Sequence, residues 1–146
     1  MQLSGAFSVN RQGIPISSIR IAIDLANNGH VVGIFPEGGC RKGPDLAIRG
    51  GRIKQGVATI ALRAQVPILP VVVLGTDRMA SVDAWLPGKY GRVWIAFGNW
   101  IEPPARPPRR RQRNVRRALA HQLEVEYVRT YHELLDHSQL SDSFTP

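Results

Sequence analysis

The chain has 146 residues, with 19 lysines and arginines against 11 aspartates and glutamates, and a formal charge of +8. That length suits one ordinary domain with one core, and the charge favours anionic partners: phosphorylated metabolites, acidic lipid headgroups or nucleic acid. Cys40 is the only cysteine, which excludes an intrachain disulfide, fits a reducing compartment and, with no clustered histidines, argues against a zinc site.

Ala6–Val9 is predicted to be a short strand, followed by the polar turn Asn10–Gly13. With Arg11, Gly13 and Pro15 in place of an apolar run, the N-terminus does not read as a secretion signal. Ser17 is placed to cap a helix over Ser18–Asn28, whose Ile19, Ala22, Ile23 and Ala26 share one face, and Gly29 is placed to stop it. "HVVGIF" (His30–Phe35) lacks polar alternation, as a strand buried on both faces of a parallel sheet does, and His30 is read as a structural residue at its start. After the loop "PEGGCRKGPDLAIRGG", a second helix is predicted over Arg52–Ala64, with Ile53, Val57, Ile60, Ala61 and Ala64 as its apolar stripe. "VPILPVVVL" (Val66–Leu74) is predicted to be another buried strand; it is far short of the roughly 20 apolar residues that cross a bilayer. Gly75–Arg92 reads as a loop with a short helical turn near Ala84 and Trp85, and "VWIAFG" (Val93–Gly98) as a further strand. A proline-rich connector, Pro103–Pro108, leads to a last helix over Asn114–Asp136, with Val115, Leu119, Leu123, Tyr127 and Tyr131 at four-residue intervals. The tail from Ser138 is polar. Alternating strands and helices predict an α/β fold: a largely parallel, mixed sheet flanked by helices.

The stretch "IFPEGGCRKG" (Ile34–Gly43) puts glycines, one acid and two bases at the end of a predicted strand, where open α/β sheets place their ligands. Gly38 and Gly39 either bring backbone N–H groups close to an anion or form an ordinary tight turn. The run lacks the Gly-x4-Gly-Lys-Ser/Thr of a P-loop, so nucleotide hydrolysis is poorly supported. Cys40 has no His-Asn arrangement around it and is read as an incidental thiol.

"GAFSVNR" (Gly5–Arg11), "FPEGGCR" (Phe35–Arg41) and "VPILPV" (Val66–Val71), in this order, resemble the second, third and fourth motifs of the glycerolipid acyltransferases of the lysophosphatidic acid (PlsC) type. Lys54, Gly56 and Ala61 match the family's intervening helix, and the likeness runs from about Gly5 to Gly98. It implies a partial glycerolipid acyltransferase fold. It also implies transfer of a fatty acyl group from acyl-CoA or acyl-carrier protein to 1-acylglycerol-3-phosphate or a similar lysolipid, with the thioester as co-substrate and no cofactor or metal. By resemblance, the Arg11 guanidinium holds the acceptor phosphate, for which its planar fork is suited. Gly38, Gly39, Arg41 and Lys42 border the same group, and Glu37 holds Arg11 or Lys42 or bonds an acceptor hydroxyl. Pro67 and Pro70 lie near the acyl donor or are plain core. The third motif departs from the family in having Gly39 where threonine is usual and Cys40 inserted before Arg41, which makes Lys42 a rival of Arg41.

The family's first motif, a His-x4-Asp block supplying the general base and the aspartate that orients it, is missing from its place. His121 and His132 fall on the last helix; "HSQLSD" (His137–Asp142) has the spacing but follows the other motifs, and is read as a decoy. The expectation is an O-acyltransferase fragment, inactive alone, whose catalytic block lies upstream of Met1. Residues 1–102 are expected to form the acyltransferase core, 103–137 a basic connector and C-terminal helix, and 138–146 a flexible tail. Seven arginines, Arg106, Arg109, Arg110, Arg111, Arg113, Arg116 and Arg117, oppose the dipole of the helix they precede and enter, so a partner explains them better than stability does. An anionic membrane surface is the first choice, in a peripheral protein on the cytoplasmic face; a solvated run is the alternative. A basic nucleic-acid-binding module is less favoured, because no aromatic residues interleave the arginines. A non-catalytic phosphate-binding module is the remaining alternative.

Overall fold

The computed structural model describes residues 16–39, 43–76 and 92–138. The strand predicted at Ala6–Val9, the helical turn near Ala84 and Trp85, and the tail beyond Ser138 lie outside them. In chain order the elements are α1 (Ile16–Asn27), two single 3-10 turns (Gly43–Asp45 and Ala47–Arg49), α2 (Gly56–Ala64), β1 (Val71–Leu74) and β2 (Trp94–Phe97). A third 3-10 turn (Arg109–Arg111) then runs into α3 (Gln112–Ser138).

Helix α1 packs against α2 and ends as its sequence predicts. Gly29 takes φ 79°, its N–H donates to Ala26 O at 3.1 Å, and His30 N–H donates to Leu25 O at 3.1 Å. This left-handed stop satisfies two of the last carbonyls. Helix α2 starts four residues later than predicted. Ile53 belongs to the apolar stripe and is buried, but Arg52–Gln55 precede the helix, and the backbone N–H groups of Ile53 and Lys54 have partners outside it.

The segment His30–Phe35 corrects the sequence reading. It pairs with no strand among the described residues, His30 is exposed, and Val31 and Phe35 are 100% and 94% exposed. An uninterrupted apolar run is compatible with a buried strand, but a strand also needs a neighbour to accept its ladder. The largely parallel sheet is likewise not what these residues form. Their sheet has two antiparallel strands, with Val71 opposite Phe97, Val72 opposite Ala96, Val73 opposite Ile95 and Leu74 opposite Trp94. The predicted strand Val66–Leu74 is shortened because Pro67 and Pro70 have no N–H to give a ladder. Before β1 only an isolated bridge, Ile68 to Ile101, continues the pairing. The α/β character stands.

Period-two alternation divides the sheet. Val72 and Leu74 are buried and pack with Tyr131 of α3, while Val71, Val73, Ile95 and Phe97 share the open face. Helix α3 runs the length of the core. Leu119, Ala120 and Leu123 pack with Ala58, Ala61 and Leu62 of α2 and with Ile68 and Ile101. Tyr127 borders both apolar clusters, and Tyr131 closes the second. The predicted stripe is therefore the packing face, and the helix joins the sheet to α2.

Candidate functional site

The turn at the end of the extended segment is built from its own sequence. Gly38 N–H donates to Phe35 O at 3.2 Å, which places Pro36 second in a four-residue turn, where its fixed φ is favoured. Gly38 has φ 69°, a region in which a Cβ costs about 1–2 kcal/mol. A methyl group built there would also lie 2.6 Å from Cδ and Cε of Lys54 and 2.7 Å from its Nζ. Gly39 is exposed, and among the described residues nothing lies within 4 Å of a Cβ built on it. Of the two glycines, geometry requires the first.

Glu37 points into the fold. Its Oε1 accepts the backbone N–H of Ala47 at 2.6 Å. Ala47 is buried and opens the 3-10 turn Ala47–Arg49, whose preceding residue, Leu46, supplies no side-chain cap. The carboxylate thus ties the turn to the loop ten residues later, and a charge-assisted bond of this kind is stronger than a neutral one. The partners expected for Glu37, Arg11 and Lys42, lie outside the described residues, as do Arg41 and Cys40; among the described residues Ala47 is its one hydrogen-bond partner. Tyr127 of α3 is close enough to feel the charge: burial pushes its phenol up, and the Glu37 carboxylate adds to the shift.

The residues before α2 complete the arrangement. Lys54 N–H donates to Pro36 O at 2.8 Å, and Ile53 N–H donates to Glu124 Oε1 of α3 at 3.0 Å. One short segment is therefore fastened to the turn on one side and to the long helix on the other. Sequence reasoning assigned no site role to Lys54, Glu124 or Tyr127. Lys54 carried a signal, its match to the family pattern, and Tyr127 lay on the apolar stripe. Nothing marked Glu124, whose partner is 71 residues away.

The remaining candidates divide clearly. Pro70 is fully buried and its carbonyl accepts Gly98 N–H at 2.9 Å, whereas Pro67 is exposed; no hydrogen bond joins either to the Phe35–Gly39 turn. His121 and His132 are exposed on α3. His137 is also in α3, where its Nδ1 lies 3.0 Å from Glu133 O; Asp142 is outside the described residues. Six of the seven arginines are exposed, and Arg116 is half-buried with its Nε unpartnered. From Pro103 to Leu123 there is no acidic residue. The described residues hold no cluster of three metal-ligating side chains and no helix long and apolar enough to cross a membrane.

A model of the acyltransferase family matches residues 1–74. The chain is 37% identical over 70 residues to the 1-acyl-sn-glycerol-3-phosphate acyltransferase of Bacillus subtilis, an alignment covering 48% of this chain and 32% of the relative. It thus spans about a third of the length of that relative. No solved structure matches it. Three motifs in family order, a family match over half of the residues and this relative agree: the chain belongs to the acyltransferase family and is of the PlsC type.

Proposed function

We propose that this chain is the acceptor-binding part of an acyltransferase of phospholipid synthesis. The reaction joins the acyl carbon of an acyl-CoA or acyl-carrier-protein thioester to the free hydroxyl of 1-acylglycerol-3-phosphate or a similar lysolipid, and releases the thiol. The hydroxyl must lose its proton as its oxygen attacks, so a base within hydrogen-bond reach is required. No histidine precedes the Gly-aromatic motif within these 146 residues, and on this reading the polypeptide alone binds the acceptor without turning it over. The observation that carries the reading is the Phe35–Gly38 turn. Its acid faces inward to Ala47 N–H, which keeps the carboxylate from competing with an incoming phosphate. Arg11, Gly38, Gly39, Arg41 and Lys42 are proposed around that phosphate, and Pro67 and Pro70 near the acyl donor. Residues 1–102 are proposed as the acyltransferase core, with 103–137 as the basic extension.

The acceptor is a membrane lipid, and Arg106–Arg117 are proposed to hold the protein against an anionic surface on the cytoplasmic face. Each base near such a surface contributes on the order of 1 kcal/mol. Co-sedimentation with vesicles tests this half of the reading. The protein should pellet with phosphatidylglycerol vesicles but not with phosphatidylcholine vesicles, and Arg109→Gln with Arg110→Gln and Arg113→Gln should reduce the bound fraction. Salt-sensitive binding to duplex DNA without binding to anionic vesicles would favour a nucleic-acid module instead. Direct titration with 1-acylglycerol-3-phosphate tests the acceptor half; binding equal to that of the monoacylglycerol lacking phosphate would contradict it.

A further inference from the structure

Lys54 lies at the same turn and has not been assigned a role. Its backbone is pinned by Pro36 O, and its neighbour Ile53 is pinned by Glu124, so the origin of the side chain is fixed from two sides. From there the stem lies across Gly38: Cδ, Cε and Nζ all fall within 2.7 Å of where a Cβ of residue 38 would be. The absence of a side chain at Gly38 therefore makes room for an ammonium over the turn. The nearest acid in sequence to that turn, Glu37, is committed to Ala47 N–H. Among the described residues no carboxylate forms an ion pair with Lys54, and the residue is exposed. A stem laid across the glycine, with an ammonium at its tip that forms no ion pair among the described residues, offers three donors to an oxyanion.

We propose that Lys54 is a binding residue for the acceptor phosphate, presenting its ammonium across Gly38 to the group held at the Phe35–Gly39 turn. This rests on the acceptor-binding reading above. It adds a cation from the α2 side to those assigned by resemblance. Glu124 acts through Ile53 as a positioning residue for the same ammonium.

The test uses sn-glycerol 3-phosphate as probe, titrated into the full 146-residue chain and followed by calorimetry. Lys54→Met keeps the length of the stem and removes the charge. It should weaken binding on the order of tenfold, the effect of one charge-assisted hydrogen bond, with an unchanged melting temperature. Lys54→Arg should restore most of the loss. A second measurement needs no variant: acetylation of Lys54 Nζ, read by mass spectrometry, should slow when the probe is present. If the parent binds the probe and Lys54→Met binds it equally well, or if acetylation of Lys54 is not slowed, the assignment is wrong while the acceptor-binding reading survives. If the parent does not distinguish the probe from glycerol, both fall.

Discussion

Removing the Glu37 carboxylate should destabilise the fold before it affects any ligand. Its Oε1 sits 2.6 Å from the N–H of Ala47, a residue only 3% exposed, so Glu37→Ala leaves a buried donor without its partner. Such a loss costs about 1–3 kcal/mol. In a chain of this size each kcal/mol moves the melting temperature by roughly 2–4 °C, so Glu37→Ala should melt roughly 4–8 °C lower for a mid-range cost. Glu37→Gln keeps an acceptor oxygen and should lose no more than about half of that. Both variants also remove the charge beside Tyr127, whose phenol is raised first by burial and then by Glu37. Its ionisation, followed by ultraviolet absorbance at high pH, should move down towards the usual tyrosine range without reaching it, because burial remains. Thermal denaturation monitored by circular dichroism measures the first effect. An unchanged melting temperature for Glu37→Ala would show that the carboxylate does not hold Ala47, and would return it to the roles of ligand or surface ion pair.

The two glycines of the motif should separate in the same assay. Gly38→Ala forces a Cβ into the left-handed region against Lys54 and should cost about 1–2 kcal/mol, whereas Gly39→Thr, which supplies the residue usual in the family, should stay within about 0.5 kcal/mol of the parent. Glu126 gives a dependence on pH. Its side-chain bond from Arg129 and the backbone N–H of Asn99 hold its carboxyl below the usual range against the opposing effect of burial. A depressed folded pKa contributes stability that is fully present above the unfolded value of about 4.3 and is lost as pH falls towards the folded one. Urea midpoints measured from pH 6 to pH 3 should therefore fall less steeply for Glu126→Gln than for the parent; parallel curves would contradict this.

What could be read from the sequence was what local chemistry decides. The stop at Gly29 needs only a residue that accepts positive φ, and the stripe Leu119, Leu123, Tyr127 and Tyr131 needs only helical spacing. The Phe35–Gly39 turn is announced by Pro36 and, two residues on, Gly38 and Gly39. The rest depends on partners distant in the chain. Ile53 fits an apolar helical face, yet it lies before the helix, with its N–H bonded to Glu124 far along the chain. Val31 and Phe35 have the composition of a buried strand, but composition does not say whether a neighbouring strand is there to pair with them. Glu37 could be recognised as a site acid, while its inward bond to Ala47 could not, since a carboxylate in a loop serves a cation, a hydroxyl or a backbone N–H equally well. Lys54 matched a family position, but its placement over Gly38 follows from the long helix that fixes Ile53.

On this reading an acceptor phosphate is held at the Phe35–Gly39 turn and Lys54, apart from the arginines at the start of α3. Backbone amide shifts of the isotopically labelled chain during titration with 1-acylglycerol-3-phosphate, below the concentration at which it forms micelles, test it most directly. Saturable shifts should centre on Glu37, Gly38, Gly39 and Lys54 and be absent with the monoacylglycerol that lacks the phosphate. Shifts confined to Arg109–Arg117, or the same response to both lipids, would contradict it.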